Sequence, residues 1–315
     1  MAGVLILLWL IAPLIAIPVF INRHIDYLGY ATEKYPMQDI YTAEEFGLEE
    51  NQRYLTTEDG FKVWCSEIKV ESPKAVILYL SGIDQPSVTY FYGHSKWMKS
   101  NGYATILLEV RGHGKSDGNK VCFGYEETKD VQAVVDYIRG LEEYEGVPIV
   151  IQGVSMGGAS AINAFGQIEE IDAAIAMSAY SSTEEVVWDL EGQNYIPRIL
   201  RWIQKPLIKV ALEFCFGSEA VDEMKPIKQI TKANGRPVLL IACSGDKGGV
   251  PAVSTQRLKN AYEPAQVWIR DSWEHFVVKD CDFYHVEEDT EYCERILTFL
   301  NQVTNKETVK YKNIR

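Results

Sequence analysis

The sequence predicts an α/β protein with a mostly parallel central sheet flanked by helices, and three observations predict it. Short apolar runs of strand length recur along the chain, and segments with helical periodicity alternate with them. Composition is that of an ordinary globular protein, 47% apolar and 24% charged over 315 residues. No internal period or low-complexity tract competes with this reading.

The first segment stands apart. Residues 2–21 contain no charged side chain, and about twenty apolar residues is what a bilayer core requires. No Lys or Arg precedes the run, and Ala12 and Ala16 do not form a good small-x-small cleavage site. A single-pass N-terminal transmembrane anchor over residues 1–21 is therefore expected ahead of a cleaved signal or a buried helix. Pro13 and Pro18 are tolerated in such a span. Residues 22–50 are polar and aromatic and read as a linker.

Residues 57–60 (Thr-Glu-Asp-Gly) form a turn signal between two alternating runs, which predicts a hairpin. Strands are then expected at 75–80, 104–110, 147–152, 173–177, 237–243 and 266–270. Helices are expected at 91–101, 125–141, 156–165 and 291–301. Val131, Val134, Val135 and Ile138 give the second of these an apolar face. From about Glu184 to Ala233 no strand pattern occurs. Trp188, Trp202, Leu207, Ile208, Leu212 and Phe216 there fit helices with an apolar face, expected as a cap inserted in a domain that spans 51–315.

The formal charge of −13 repels phosphates, and no basic stripe overrides it, so nucleic acid is excluded as a partner. Six scattered cysteines include no CxxC pair, which argues against a zinc site and leaves the redox compartment open. Oligomeric state and membrane orientation are likewise left open.

Ligands in such sheets bind beyond the carboxyl ends of the strands. There, after residues 147–152, comes Gly153-Val154-Ser155-Met156-Gly157-Gly158 followed by a helical pattern. This is G-x-S-x-G in the strand–turn–helix setting of a nucleophile elbow, where small residues let the backbone turn sharply and expose the serine hydroxyl. Ser155 is the expected nucleophile. His275 follows the last strand and is the expected base, with His285 as competitor and His113 read as structural. Asp246 is the only carboxylate in the loop after residues 237–243 and is the expected acid; a plain turn aspartate is the other reading. The oxyanion hole needs two backbone N–H groups, expected from Met156 and from Ile83 after the first parallel strand.

Together these residues resemble the α/β-hydrolase superfamily, in its serine aminopeptidase-like and monoacylglycerol-lipase-like branch. The resemblance runs from about residue 46 to 300. It includes Glu45-Phe46-Gly47-Leu48 and Thr57-Glu58-Asp59-Gly60. It continues through the loop Arg111-Gly112-His113-Gly114-Lys115-Ser116, the elbow, and Val250-Pro251 with Leu258 beyond. It implies the α/β-hydrolase fold and hydrolysis through an acyl-serine intermediate, with no metal or organic cofactor. One departure stands out. The family's acid position falls on Gly248 counting forward from Gly245, and on Lys247 counting back from Val250, so the loop is one residue short and Asp246 is the nearest carboxylate. Glu184 is an alternative acid, and loss of the acid would leave a non-catalytic, membrane-anchored binding protein. The expected function is cleavage of carboxylic esters, with small-molecule or lipid-like acyl substrates suggested by the apolar cap; a peptidase of the same fold is the alternative.

Overall fold

The computed structural model describes residues 2–26, 37, 39–247 and 249–305. Helices α1 (Ala2–Ile11) and α2 (Pro13–Ile21) follow one another through Ala12, itself in helical φ/ψ. They are separated because Pro13 has no N–H to give the Trp9 carbonyl. Next come the hairpin β1 (Asn51–Thr56) and β2 (Lys62–Ile68), then β3 (Val76–Leu80), α3 (Tyr92–Ser100), β4 (Ala104–Leu108) and α4 (Thr128–Arg139). β5 (Ile149–Val154), α5 (Met156–Gln167) and β6 (Ala173–Met177) follow. Four helices, α6 (Thr183–Gln193), α7 (Arg198–Phe216), α8 (Ser218–Glu223) and α9 (Pro226–Gln229), precede β7 (Val238–Cys243). α10 (Ala252–Ala261), β8 (Gln266–Arg270) and α11 (Thr290–Thr304) complete the described elements.

The strands form one eight-stranded sheet in the order β1-β2-β4-β3-β5-β6-β7-β8. β1 and β2 are antiparallel to their neighbours, and all pairings from β4 through β8 are parallel. β3 to β7 are buried along their whole length, which is why they read as continuous apolar runs instead of alternating ones. Side-chain alternation still sorts the two faces. Val76, Leu78 and Leu80 point into a core with Val131, Ile162 and Leu258 from α4, α5 and α10. Ile77 and Tyr79 point into the other core, with Met98, Ile296 and Phe299 from α3 and α11. Truncating Phe299 to Ala would cost about 3–5 kcal/mol.

The stretch expected as linker is, where described, part of the domain. Residues 27–36 and 38 lie outside the described residues. Ile25 makes a parallel bridge to His113, with its N–H donating to Gly112 O at 2.8 Å. Phe46 and Leu48 are buried, and the Phe46 ring lies 4.3 Å from that of Tyr284. All six cysteines are free thiols.

Between β6 and β7 the chain forms helices α6 to α9 and a 3-10 turn at Ile230–Ala233, with no strand among the described residues. Arg257 on α10 grips Asp189 on α6 through both guanidinium nitrogens, at 2.5 and 2.9 Å. α7 buries Gln204, Ile208, Ala211 and Leu212 on one side. α1 and α2 pack along α7, and the stretch Gly3–Ile21 has a mean hydropathy of 2.9 with 6% of it buried.

Candidate active site

Ser155 joins β5 directly to α5. Its backbone is held at φ 57° and ψ −121°, a conformation that costs of order 1–3 kcal/mol for a residue other than glycine. What holds it there is the sheet: Ser155 N–H donates to Met177 O on β6 at 2.9 Å, while Ser155 O accepts from Ala159 inside α5 at 3.1 Å. The turn also needs its glycines. A Cβ on Gly157 would meet the backbone of Leu80 and Ser81, and one on Gly153 would meet the backbone of Gly157 and Gly158. The end of β3 is thereby drawn against the elbow. A Cβ placed on Gly82 would stand 3.4 Å from Ser155 Cβ.

The two N–H groups expected as oxyanion donors belong to these adjoining segments. Met156 opens α5, where first-turn N–H groups have no intrahelical acceptor. Ile83 lies one residue beyond Gly82. Its carbonyl is 3.0 Å from Nε2 of His113, whose Nδ1 is 3.3 Å from Arg111 O. His113 is fully buried, and that burial pushes its pKa down. Arg111 in turn donates to both Asp130 and Asp59. A further brace comes from the chain just after α2. Arg23 Nη2 donates to Asp84 Oδ1 at 2.9 Å, and the His24 ring nitrogens lie 2.7 and 2.8 Å from the carbonyls of Gly118 and Gly114.

His275 and Asp246 are brought together. His275 Nδ1 is 2.6 Å from Asp246 Oδ2, and the aspartate is 4% exposed. Asp246 also accepts from the N–H groups of Gly249 at 2.9 Å and Val250 at 3.0 Å. The short loop therefore folds over the carboxylate, and its closeness is what makes Gly249 necessary, since a Cβ there would enter the His275 ring. His275 is tied to the elbow through β6: Ser155 bonds Met177, and the next hydroxyl, Ser178 Oγ, donates to His275 O at 2.6 Å.

The competing residues lie elsewhere. His285 is exposed and bonds Asp282 at 3.0 Å. Glu184 is engaged by Lys225 Nζ at 2.7 Å within the cap. His94, buried against Tyr292, has its pKa pushed down to about 3 by burial. Sequence reasoning missed Ser178 and Gly249, and read His113 as structural without its link to Ile83 O. Gly249 carried a signal, since Gly248-Gly249 directly follows the aspartate, but it was legible only as a turn.

A strained serine between a buried parallel strand and a helix, with a histidine–aspartate pair on the loops after the last two strands of such a sheet, defines the α/β-hydrolase fold. Residues 71–211 match the family described as serine aminopeptidase, S33. A Bacillus subtilis protein described as uncharacterized protein YqkD is 28% identical over 178 residues, 55% of this chain. The match spans 56% of that relative's own length. A Pyrococcus furiosus esterase superposes with a TM-score of 0.65 over 89% of this chain and 98% of its own, at 20% identity. A Pyrococcus horikoshii acylaminoacyl peptidase superposes with a TM-score of 0.57 over 80% of this chain and 42% of its own, also at 20% identity. At that identity both likenesses are likenesses of fold.

Proposed function

We propose that this chain is a serine hydrolase that cleaves carboxylic esters, held at a membrane by residues 2–21. The observation that carries the reading is the 2.6 Å contact between His275 Nδ1 and Asp246 Oδ2, together with a serine at φ 57° whose strand neighbours Met177 and Ser178 link it to His275. In this mechanism Asp246 fixes the imidazole tautomer, so that Nε2 is free to take the Ser155 proton. Ser155 Oγ attacks the acyl carbon and the N–H groups of Met156 and Ile83 receive the oxyanion. Nε2 then returns the proton to the leaving alcohol, and water repeats the sequence to release the acid. Labelling by a fluorophosphonate probe tests the nucleophile: a folded protein that stays unlabelled overturns the reading and favours a binding protein of this fold.

Lipid-like acyl esters are the proposed substrates, since the helices between β6 and β7 are rich in large apolar side chains and α7 is packed against an uncharged helix. The membrane reading rests on that helix, apolar over Gly3–Ile21 and 6% buried. Fractionation checks it. Soluble protein beginning near residue 20 would show a cleaved signal instead. A peptidase is the second reading, favoured by the description of the matching family. A panel of p-nitrophenyl esters and aminoacyl amides separates them. Fastest turnover on the amides, with no gain from acetyl to longer chains, would replace the esterase reading.

A further inference from the structure

One face of α7 is an apolar stripe that nothing in the described structure covers. Ile199 is 61% exposed, Ile203 42%, Val210 51% and Phe214 84%, with Trp202 at 67% beside them. At 3.6 residues per turn these positions fall on one side of the helix, opposite the buried Gln204, Ile208, Ala211 and Leu212. An exposed stripe of large apolar groups on a soluble surface marks an interaction site.

What adjoins the stripe identifies its occupant. Gln204 Nε2 donates to Trp9 O at 2.8 Å, so α1 and α2 lie along the flank of α7. Trp9 O, which Pro13 deprives of its usual i+4 donor, also accepts from Ala12 N–H at 3.3 Å. The half-buried Leu200 and Leu207 fall on the wheel between Gln204 and the stripe. The exposed side chains of the N-terminal helix, Leu5 at 62%, Ile15 at 67% and Val19 at 70% among them, thus continue the same apolar surface. The opposite flank of α7 is polar: it carries Arg198, with Lys205 paired to Glu185 and Lys209 paired to Glu213 and Asp222. An apolar stripe with a charged flank is the pattern of a helix lying in a membrane interface.

We infer that α7 is itself a membrane-contacting helix: the cap docks on the bilayer, with Ile199, Trp202, Ile203, Val210 and Phe214 among the acyl chains. This rests on the proposed membrane attachment of residues 2–21 and goes beyond it. The enzyme is not a soluble body swinging on a stalk; its cap faces the lipid. Ester substrates then reach the cap from the membrane side.

The test uses full-length protein in vesicles of phosphatidylcholine with some phosphatidylglycerol, made with and without acyl-brominated lipid. The fluorescence due to Trp202 is the difference between wild type and Trp202→Phe, and that due to Trp9 the difference between wild type and Trp9→Phe. Bromolipid is expected to at least halve both. Quenching of Trp9 alone overturns the inference while leaving the anchor intact. Quenching of neither, with protein remaining off the vesicles, removes the anchor reading and this inference with it. An unquenched Trp202 in a protein that cross-links as a dimer assigns the stripe to a second copy of the chain and also overturns the inference.

Discussion

His275 Nδ1 and Asp246 Oδ2 stand 2.6 Å apart, on loops that follow neighbouring strands β8 and β7. The aspartate is held against the ring because two consecutive backbone N–H groups, of Gly249 and Val250, turn back onto its carboxylate. A carboxylate receiving three hydrogen bonds in a buried site is fixed in position, and it fixes the imidazole. Asp246→Asn is expected to lower kcat by about 10³–10⁴-fold, since the amide can hold the ring in the wrong tautomer. Stopped assays of the purified variant on a p-nitrophenyl ester check this; a loss under tenfold would remove Asp246 from the mechanism.

Ser155→Ala is expected to abolish fluorophosphonate labelling and ester turnover while the fold persists. Alanine at φ 57° carries much the same backbone strain as serine, so the melting temperature should stay within a few degrees of wild type. Retained turnover would take Ser155 out of the chemistry.

His275→Ala should cost several orders of magnitude in kcat, and His285→Ala less than about twofold, because the latter ring is exposed and bonds only Asp282 among the described contacts. Steady-state kinetics on both variants decide the assignment. The reverse ranking makes His285 the base.

Gly249→Ala tests the loop. The added methyl must displace the His275 ring. A fall in kcat of at least tenfold, with KM little changed and the far-UV spectrum intact, is expected. Unchanged kinetics would mean that the imidazole has room the packing denies it.

Glu127 supplies a pH dependence. It is fully buried at the start of α4, and burial raises its carboxyl from 4.5 to about 7. A folded pKa above the unfolded one gives stabilisation that is complete below about 4.5 and lost as pH rises through about 7. Its contribution thus falls by on the order of 2–3 kcal/mol across that window. Glu127→Gln should melt higher than wild type near pH 8 and gain little or nothing near pH 4.5. Melting curves that shift in parallel for the two proteins would contradict this.

Much of the fold was legible because fully buried parallel strands leave unbroken apolar runs, as at Val238–Cys243 and Ala173–Met177. The elbow was legible because its glycines are demanded by local backbone contacts, and Ser155 lies within that short motif. Asp246 and His275 could be nominated from their strands, but not their meeting, which depends on two N–H groups curling back across a loop. Ser178 left no signal at all. Its role arises from its place beside Met177 in the sheet and from a carbonyl 97 residues away in the chain. The docking of residues 21–26 was invisible for the same reason, since the bonds that seat it, from Ile21, Arg23, His24 and Ile25, run to distant loops.

That docking has a practical side. Ile21 is wholly buried and accepts from Val121 N–H at 2.9 Å, Ile25 bridges to His113, and Arg23 holds Asp84 beside Ile83. The seam between the exposed apolar stretch and the folded domain therefore lies inside the helix, ahead of residue 21, and not at its end. A shortened chain that starts at residue 27 would keep the sheet and the elbow yet shed the struts under the loop bearing Ile83. One that starts near residue 20 would keep them. For anyone making a version of this protein without its apolar N-terminal helix, those few residues separate a slack site from a braced one.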